Sequence, residues 1–322
     1  MENRVNETLY DVIIIGGGPA GLTASIYTSR AGIDTLLLES ASLPSQAALT
    51  ETIENYPGFP NGIEGYKLIE DFKKQSKIFG TEFVPEEAES IQENKEGPEE
   101  GYNVITKEGT VYKALSVIIA TGAVPKQLGV KGEKEFYGRG VSYCATCDAH
   151  FYKNKHIMVV GGGDAAVEEA LFLTKFGSKV TVIHRRQRLR AAKILRERVS
   201  ANKKIEIIWN SQVVELLGDK KIRAAKIKNV KTQEETEIQC DGVFVFIGYK
   251  PNTDFLKGFI NLNEKGHIVT GENMQIEKVG IFACGDCRSK MMFQVITACG
   301  DGATAAFSCQ KYVEKLKGMV YD

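Results

Sequence analysis

One module occurs twice in this chain. The apolar run at residues 12–15 leads straight into Gly16-Gly17-Gly18-Pro19-Ala20-Gly21, and the run at 157–160 leads into Gly161-Gly162-Gly163-Asp164-Ala165-Ala166. Apolar runs without alternation fit strands buried on both faces, as in a parallel sheet covered by helices. Each glycine cluster is followed by a helix-compatible stretch, 22–30 and 167–176, and then by another apolar run, 35–38 and 180–183. Strand, G-x-G-x-x-[G/A] turn, helix and strand form a βαβ unit, whose glycines let a helix N-terminus face an anion closely. The expected fold class is therefore α/β, with two Rossmann-like three-layer nucleotide-binding domains. A length of 322 residues accommodates both.

The two modules differ where they end. The first closes on Glu39, at the distance beyond its glycines where a carboxylate accepts from a ribose hydroxyl. The second has His184 at the corresponding position, followed by Arg185, Arg186 and Arg190. An acid that repels a 2′-phosphate has been replaced by groups that pair with one, so the second site is expected to prefer NADPH over NADH. A solvated basic helix face running from 185 to 198 is the plainer alternative; it suits Arg196 and Arg198 better than Arg185 and Arg186.

Between the modules, residues 46–65 read as a loop rich in Asn, Pro and Gly, and 66–79 as an amphipathic helix. Residues 82–117 read as a small antiparallel meander around the charged turn Glu93-Asn94-Lys95-Glu96-Gly97-Pro98, and 117–122 as a buried strand running into Gly122. Strands are again expected over 205–247. A last strand ends in Cys284-Gly285-Asp286, where the carboxylate can bond the sugar-alcohol chain of a flavin or merely cap a helix. The helix starting near Gln294 is expected to aim its N-terminal amides at the flavin ring.

The chemistry is carried by Cys144-Ala145-Thr146-Cys147-Asp148. A C-x-x-C spacing brings two sulfurs into disulfide range, and placement at a helix N-terminus stabilises a thiolate, so the pair is suited to thiol–disulfide exchange. Seven cysteines are too few for a secreted disulfide scaffold, and the polar N-terminus has no apolar signal region, so a reducing, cytoplasmic location is expected. No run is long enough to span a membrane, and 41 basic residues balance 41 acidic ones, which argues against nucleic acid or membrane surfaces as partners.

Together these residues resemble the low-molecular-weight thioredoxin reductases, a family of NADPH- and FAD-dependent flavoproteins, over nearly the whole chain. The resemblance implies a discontinuous FAD-binding domain, 1–122 and 249–322, with an NADPH-binding domain, 123–248, inserted in it. It implies that Gly16, Gly18, Pro19, Ala20, Gly21, Glu39 and Ser40 bind the ADP part of FAD. Gln46, Asn55, Ala120, Thr121, Gly122, Gly285, Asp286, Gln294 and Val295 then lie nearer the rest of the flavin. Gly161, Gly163, Asp164, Ala165, Ala166, His184, Arg185, Arg186 and Arg190 hold NADPH. By the same resemblance Cys147 faces the flavin, Cys144 exchanges with the disulfide of thioredoxin or a thioredoxin-like protein, and Asp148 serves the dithiol as acid–base group. A homodimer and a rotation of 123–248 about links near 122–125 and 248–251 are also implied.

Some positions depart from the family pattern: Pro44-Ser45 where two glycines are common, Phe293 where arginine is common, and Ala149-His150 where Gly and an aromatic residue are frequent. Two alternatives remain at this stage. The same scaffold serves another disulfide acceptor, such as a peroxiredoxin-linked carrier or a small molecule, or Cys144, Cys147, Cys284 and Cys287 hold a structural zinc. The zinc alternative requires ligand pairs separated far beyond compact zinc-ribbon spacing. Cys284 and Cys287, which bracket Gly285-Asp286, are expected to pack as inert small residues, as are Cys240, Cys299 and Cys309.

Overall fold

The computed structural model describes residues 4–40, 44–94 and 101–319. Met1 to Asn3 of the polar N-terminus and residues 95–98 of the charged turn lie outside the described residues. The chain divides into two compact units, Met1–Val124 with Lys250–Asp322, and Pro125–Tyr249.

In the first unit, β1 (Arg4–Ile15) is longer than its apolar end and carries a register shift between Val5 and Leu9. Its last four residues are buried on both faces. Helix α1 (Pro19–Arg30) starts with proline in its first turn, where the missing N–H costs no helical bond, and ends before Gly32 at φ +76°. β2 (Thr35–Leu38) returns parallel to β1, with Val12 opposite Thr35. After α2 (Gly65–Ile78), β3 (Glu82–Val84) pairs parallel to β2. It therefore extends the parallel sheet instead of opening the meander. The meander is β4 (Ala88–Asn94), β5 (Gly101–Thr106) and the first part of β6 (Thr110–Ile119), all antiparallel. The other edge of β6 lies parallel to β1 along its whole length, Thr110 to Ile119. One strand thus serves two kinds of pairing; half-buried Thr110 and Lys113 interrupt its N-terminal part, and its end is continuously buried.

The chain leaves this unit through β7 (Ala123–Pro125). The second unit runs through β8 (Val141–Ser142), α3 (Ala145–Asp148), a 3-10 turn over Ala149–Tyr152, β9 (His156–Gly161), α4 (Asp164–Leu173), β10 (Lys179–Ile183), α5 (Lys193–Ala201) and β11 (Ile205–Ile208). Next come β12 (Ser211–Gly218), β13 (Ile222–Asn229), β14 (Glu235–Gln239) and β15 (Gly242–Phe246). The parallel sheet has the order β11-β10-β9-β15-β8, and β12-β13-β14 form a separate antiparallel sheet. Within 205–247, then, only the middle part alternates as an exposed sheet; the two ends feed the buried one. Residues 185–192 are not helical, because α5 begins only at Lys193. That removes the reading of 185–198 as one helix face.

β16 (Tyr249–Pro251) pairs with β7, so the two crossing segments form a two-stranded ladder. β17 (Ile281–Ala283) joins β6 in parallel, and α6 (Val295–Leu316) packs on α1. That packing is close: a Cβ on Gly302 would fall 2.2 Å from Ala20 O. In each unit the parallel strands end on one edge of their sheet, where open α/β folds bind ligands. Those ends carry Gly16, Glu39, Ala120 and Cys284 in the first unit, and Tyr143, Gly161, His184 and Ile247 in the second.

Candidate active site

The glycines of the first turn do different jobs. Gly16 takes φ +120°, and a Cβ there would fall 2.3 Å from Ala120 O; one on Gly21 would fall 1.9 Å from Gly16 O. Both are imposed by the packing of strand, turn and helix. Gly18 has only Ser45 Cβ nearby, at 3.7 Å, so open space lies before the turn at the start of α1. Unlike Gly16 and Gly21, Gly18 is not required by the packing, which leaves room for a ligand to approach there. The Glu39 carboxylate folds back over the turn, 2.5 Å from where a Gly17 Cβ would sit, and Lys73 of α2 ion-pairs with it.

The remaining residues of this unit meet at the same edge. Asn55 Nδ2 donates to Gln294 Oε1 at 3.0 Å, joining the loop to the N-cap of α6, where Gln294 and Thr297 form a capping box. Val295 is the first residue of that helix, and Pro19 and Ala20 open α1. Thr121 Oγ1 donates to Asn252 O at 2.7 Å, and Gly122 takes φ +62°. Ser40 Oγ donates to Glu87 at 3.2 Å, while the Gln46 carbonyl accepts from Thr50 Oγ1 at 3.2 Å. Asp286 lies within a 3-10 turn, Gly285–Cys287, well ahead of α6, whose N-cap is Gln294. It therefore does not cap that helix. Its Oδ1 is buried and accepts no hydrogen bond, and burial pushes its carboxyl up. A buried acceptor of this kind fits a hydroxyl of the flavin's sugar-alcohol chain.

The second unit repeats the logic. A Cβ on Gly161 would fall 2.3 Å from Phe246 O, whereas Gly163 has nothing within 4 Å. His184 covers Gly162 as Glu39 covers Gly17, its Nδ1 only 2.2 Å from where a Gly162 Cβ would be. Its Nε2 lies 3.0 Å from Arg188 O, and burial lowers its pKa, so the ring is neutral. Its charge is thus not what meets a phosphate. Arg185, Arg186, Arg188 and Arg190 beside it are all exposed and able to meet an anion. The arginine loop is tied to the glycine turn by Arg190 N to Gly162 O and by Ala192 N to Asp164 Oδ1, both 2.7 Å. Ala165 and Ala166 follow in the first turn of α4, with Ala166 fully buried.

Cys144 and Cys147 form a disulfide with Cα atoms 5.4 Å apart. Cys144 follows β8 directly, on the sheet edge that also carries the Gly161 turn. It is the N-cap of α3, and its Sγ accepts from Cys147 N at 3.2 Å. Because α3 spans only four residues before the 3-10 turn, support for a thiolate comes from this amide and from the Thr146 hydroxyl, 3.4 Å from the same sulfur, more than from a helix dipole. Cys147 is exposed, whereas Cys144 and Asp148 are half-buried. Cys284 and Cys287 are free and buried; burial raises both thiols, Cys287 to about 11. The sulfurs of Cys144 and Cys147 are bonded to each other, so in this state they are not thiolate ligands for zinc.

Several residues around these sites escaped the motif reading. Lys73 sits in an amphipathic helix among other lysines, and nothing local distinguishes it. Asp301 had a visible signal, a lone acid among the small buried residues of α6. Glu133 is buried and accepts from Leu128 N, Gly129 N and the hydroxyl of Tyr143, the residue before Cys144.

Comparison with known proteins matches residues 10–302 to the pyridine nucleotide-disulphide oxidoreductase family. The thioredoxin reductase of Bacillus subtilis is 47% identical over 315 residues, covering 97% of this chain and 97% of that protein. That of Listeria monocytogenes is 46% identical over 315 residues, covering 97% of this chain and 96% of that protein. The crystal structure of Lactococcus lactis thioredoxin reductase in its FR conformation matches with a TM-score of 0.91 at 43% identity, covering 95% of this chain and 99% of that one.

Proposed function

This chain belongs to the pyridine nucleotide-disulphide oxidoreductase family, and from that premise we propose how its residues carry electrons from NADPH to a protein disulfide. The protein is an FAD-containing enzyme that uses NADPH to reduce the disulfide of thioredoxin. When bound, FAD supplies the two-electron relay between nicotinamide and the Cys144–Cys147 disulfide. The first unit holds the flavin: the turn from Gly16 to Gly21 receives the pyrophosphate, Glu39 the ribose, and Asp286 the sugar-alcohol chain, with Asn55, Thr121 and Gln294 near the ring. The second unit holds NADPH on the Gly161 to Ala166 turn, with Arg185, Arg186 and Arg190 on the 2′-phosphate.

Reduction of the pair gives two thiols. Cys144 Sγ then attacks one sulfur of the thioredoxin disulfide, and the other sulfur leaves as a thiolate that takes a proton. Cys147 next attacks the mixed disulfide at Cys144, releasing the second thioredoxin sulfur and restoring the Cys144–Cys147 bond. Asp148 shuttles the protons of this exchange. The pair and the nicotinamide are carried on the 125–249 unit, the flavin on the other, so both reach the same ring only if the unit turns about the β7 and β16 segments. We place the enzyme in the cytoplasm as a homodimer, a state that sedimentation of the purified protein tests.

The observation that carries this reading is the disulfide at Cys144–Cys147 on the sheet edge that also bears a glycine turn open to a nucleotide. The test is NADPH oxidation against a panel of purified disulfide proteins from the same source. Thioredoxin is expected to support turnover, and Cys144→Ser or Cys147→Ser to abolish it while leaving NADPH-driven reduction of an artificial dye. Turnover of thioredoxin by either serine variant would remove the pair from the mechanism.

A further inference from the structure

Beneath the Gly285-Asp286 turn lies a charged cluster that no sequence motif called for. Lys290 has only 7% of its side chain exposed. Its ammonium donates to Asp301 Oδ2 at 3.1 Å and Thr297 Oγ1 at 3.3 Å. It also ion-pairs with Asp286 Oδ1 at 3.3 Å. Asp301, with 11% of its side chain exposed, accepts from Gly285 N and from Arg288 Nη1, each at 3.1 Å. Arg288 Nε in turn donates to Thr270 Oγ1 at 2.9 Å. The turn and the first turns of α6 are thereby bound through one buried acid and one buried ammonium.

A buried ammonium is retained only where paired charge and hydrogen bonds offset its desolvation. Asp301 and Thr297 supply part of that, but Asp301 also holds Arg288, so the two cations are balanced only with Asp286 ionised as well. The ammonium holds Asp286 through Oδ1, while the side chain as a whole, 36% exposed, can still accept from another donor. From this geometry we infer that Lys290 is a positioning residue for the flavin, holding Asp286 in place as an ionised acceptor for a hydroxyl of the bound cofactor. The inference rests on the reading of Asp286 as the group that meets the sugar-alcohol chain.

The electrostatics agree with it. Burial raises the Asp286 carboxyl and Asp301 adds to the rise, whereas Lys290 and, more weakly, His267 oppose it. Removing Lys290 leaves desolvation and Asp301 in control, and Asp286 then takes up a proton at higher pH. A protonated carboxyl forfeits its stronger, charged acceptor role. The affinity supplied by ionised Asp286 is present above its pKa and lost as pH falls through it. Lys290→Met moves that loss upward.

The test titrates the full-length apoprotein with FAD, following flavin fluorescence from about pH 6 to about pH 9. Lys290→Met is expected to bind FAD about tenfold more weakly than wild type at the acidic end, the gap closing as pH rises. Lys290→Gln should give the same profile, and thermal unfolding of each apoprotein checks that it folds. His267→Gln in the Lys290→Met background should keep the profile; its disappearance would assign the titration to His267 and overturn the inference. So would a Lys290→Met affinity equal to wild type, or one reduced by the same factor at every pH. Asp286→Asn separates the two levels, since it should weaken FAD throughout the range. If Asp286→Asn binds as wild type does, the flavin reading of Asp286 fails; if it is weakened while Lys290→Met is not, only the role of Lys290 fails.

Discussion

Cys144 and Cys147 differ from the other five cysteines in environment more than in spacing, since Cys284 and Cys287 share the same C-x-x-C interval. Burial raises every one of the five free thiols, Cys240 and Cys309 to about 12. At neutral pH they remain protonated and lack the nucleophilic form. After reduction, alkylation with iodoacetamide at neutral pH should therefore label Cys144 and Cys147 rapidly and the other five only on unfolding, as peptide mass mapping would reveal. Fast labelling of Cys284 or Cys287 in the folded protein would point to a redox role for that pair. The same shifts have a consequence for stability. Raised thiol pKa values favour the folded state below the ordinary thiol range, about 8.5, and that contribution is lost as pH rises above it. Alkaline pH should thus lower the unfolding temperature, and replacing Cys309 by Ala should flatten the dependence.

The two glycine turns show which parts of an element belong to folding and which to a ligand. Gly161 is closed in by Phe246 O, and Gly163 faces open space. Gly163→Val should therefore leave the unfolding temperature of the protein almost unchanged and raise the KM for NADPH, whereas Gly161→Val should impair folding. The arginine loop gives a sharper test of cofactor choice. Charge-assisted bonds to a 2′-phosphate correspond to roughly ten- to hundredfold in affinity. Replacing Arg185 and Arg186 with neutral residues should raise the KM for NADPH by at least about tenfold and that for NADH little. Equal losses with the two nucleotides would reduce these arginines to supports of the fold.

At this scale the sequence was also most legible. The βαβ modules, Glu39, the C-x-x-C pair and the amphipathic α2 carry local patterns, and their positions follow from strand burial and glycine turns. Three kinds of feature were hidden. β3 is too short, and too polar at Glu82, to announce that it pairs parallel to β2. Only the fold reveals that the His184 ring is buried against Gly162 with a nitrogen 3.0 Å from the Arg188 carbonyl. Lys73, Lys290 and Glu133 act through partners distant in sequence, Glu39, Asp301 and Tyr143, and spacing alone cannot pair them.

At the scale of the whole molecule, the order of motifs along the chain argues for movement. The disulfide and the NADPH turn both lie within Pro125–Tyr249, and the groups assigned to the flavin all lie in the other unit. A disulfide packed on the flavin obstructs the nicotinamide and is shielded from a protein-sized substrate, so one arrangement cannot complete both half-reactions. The chain crosses between units only at the β7 and β16 segments, which pair with each other and carry Pro125 and Pro251, with Gly122 and Gly248 close by at φ +62° and +109°. Such a ladder suits the proposed turning about a short, defined link, which leaves the sheet within each unit intact. A covalent crosslink placed between the units should therefore abolish steady-state reduction of thioredoxin while preserving one half-reaction, either hydride uptake from NADPH or exchange between flavin and dithiol, according to the orientation trapped. Stopped-flow absorbance would follow the two half-reactions separately. Unchanged steady-state turnover in a protein whose crosslink is verified by mass spectrometry would exclude the rotation, and both half-reactions would then have to proceed from a single arrangement.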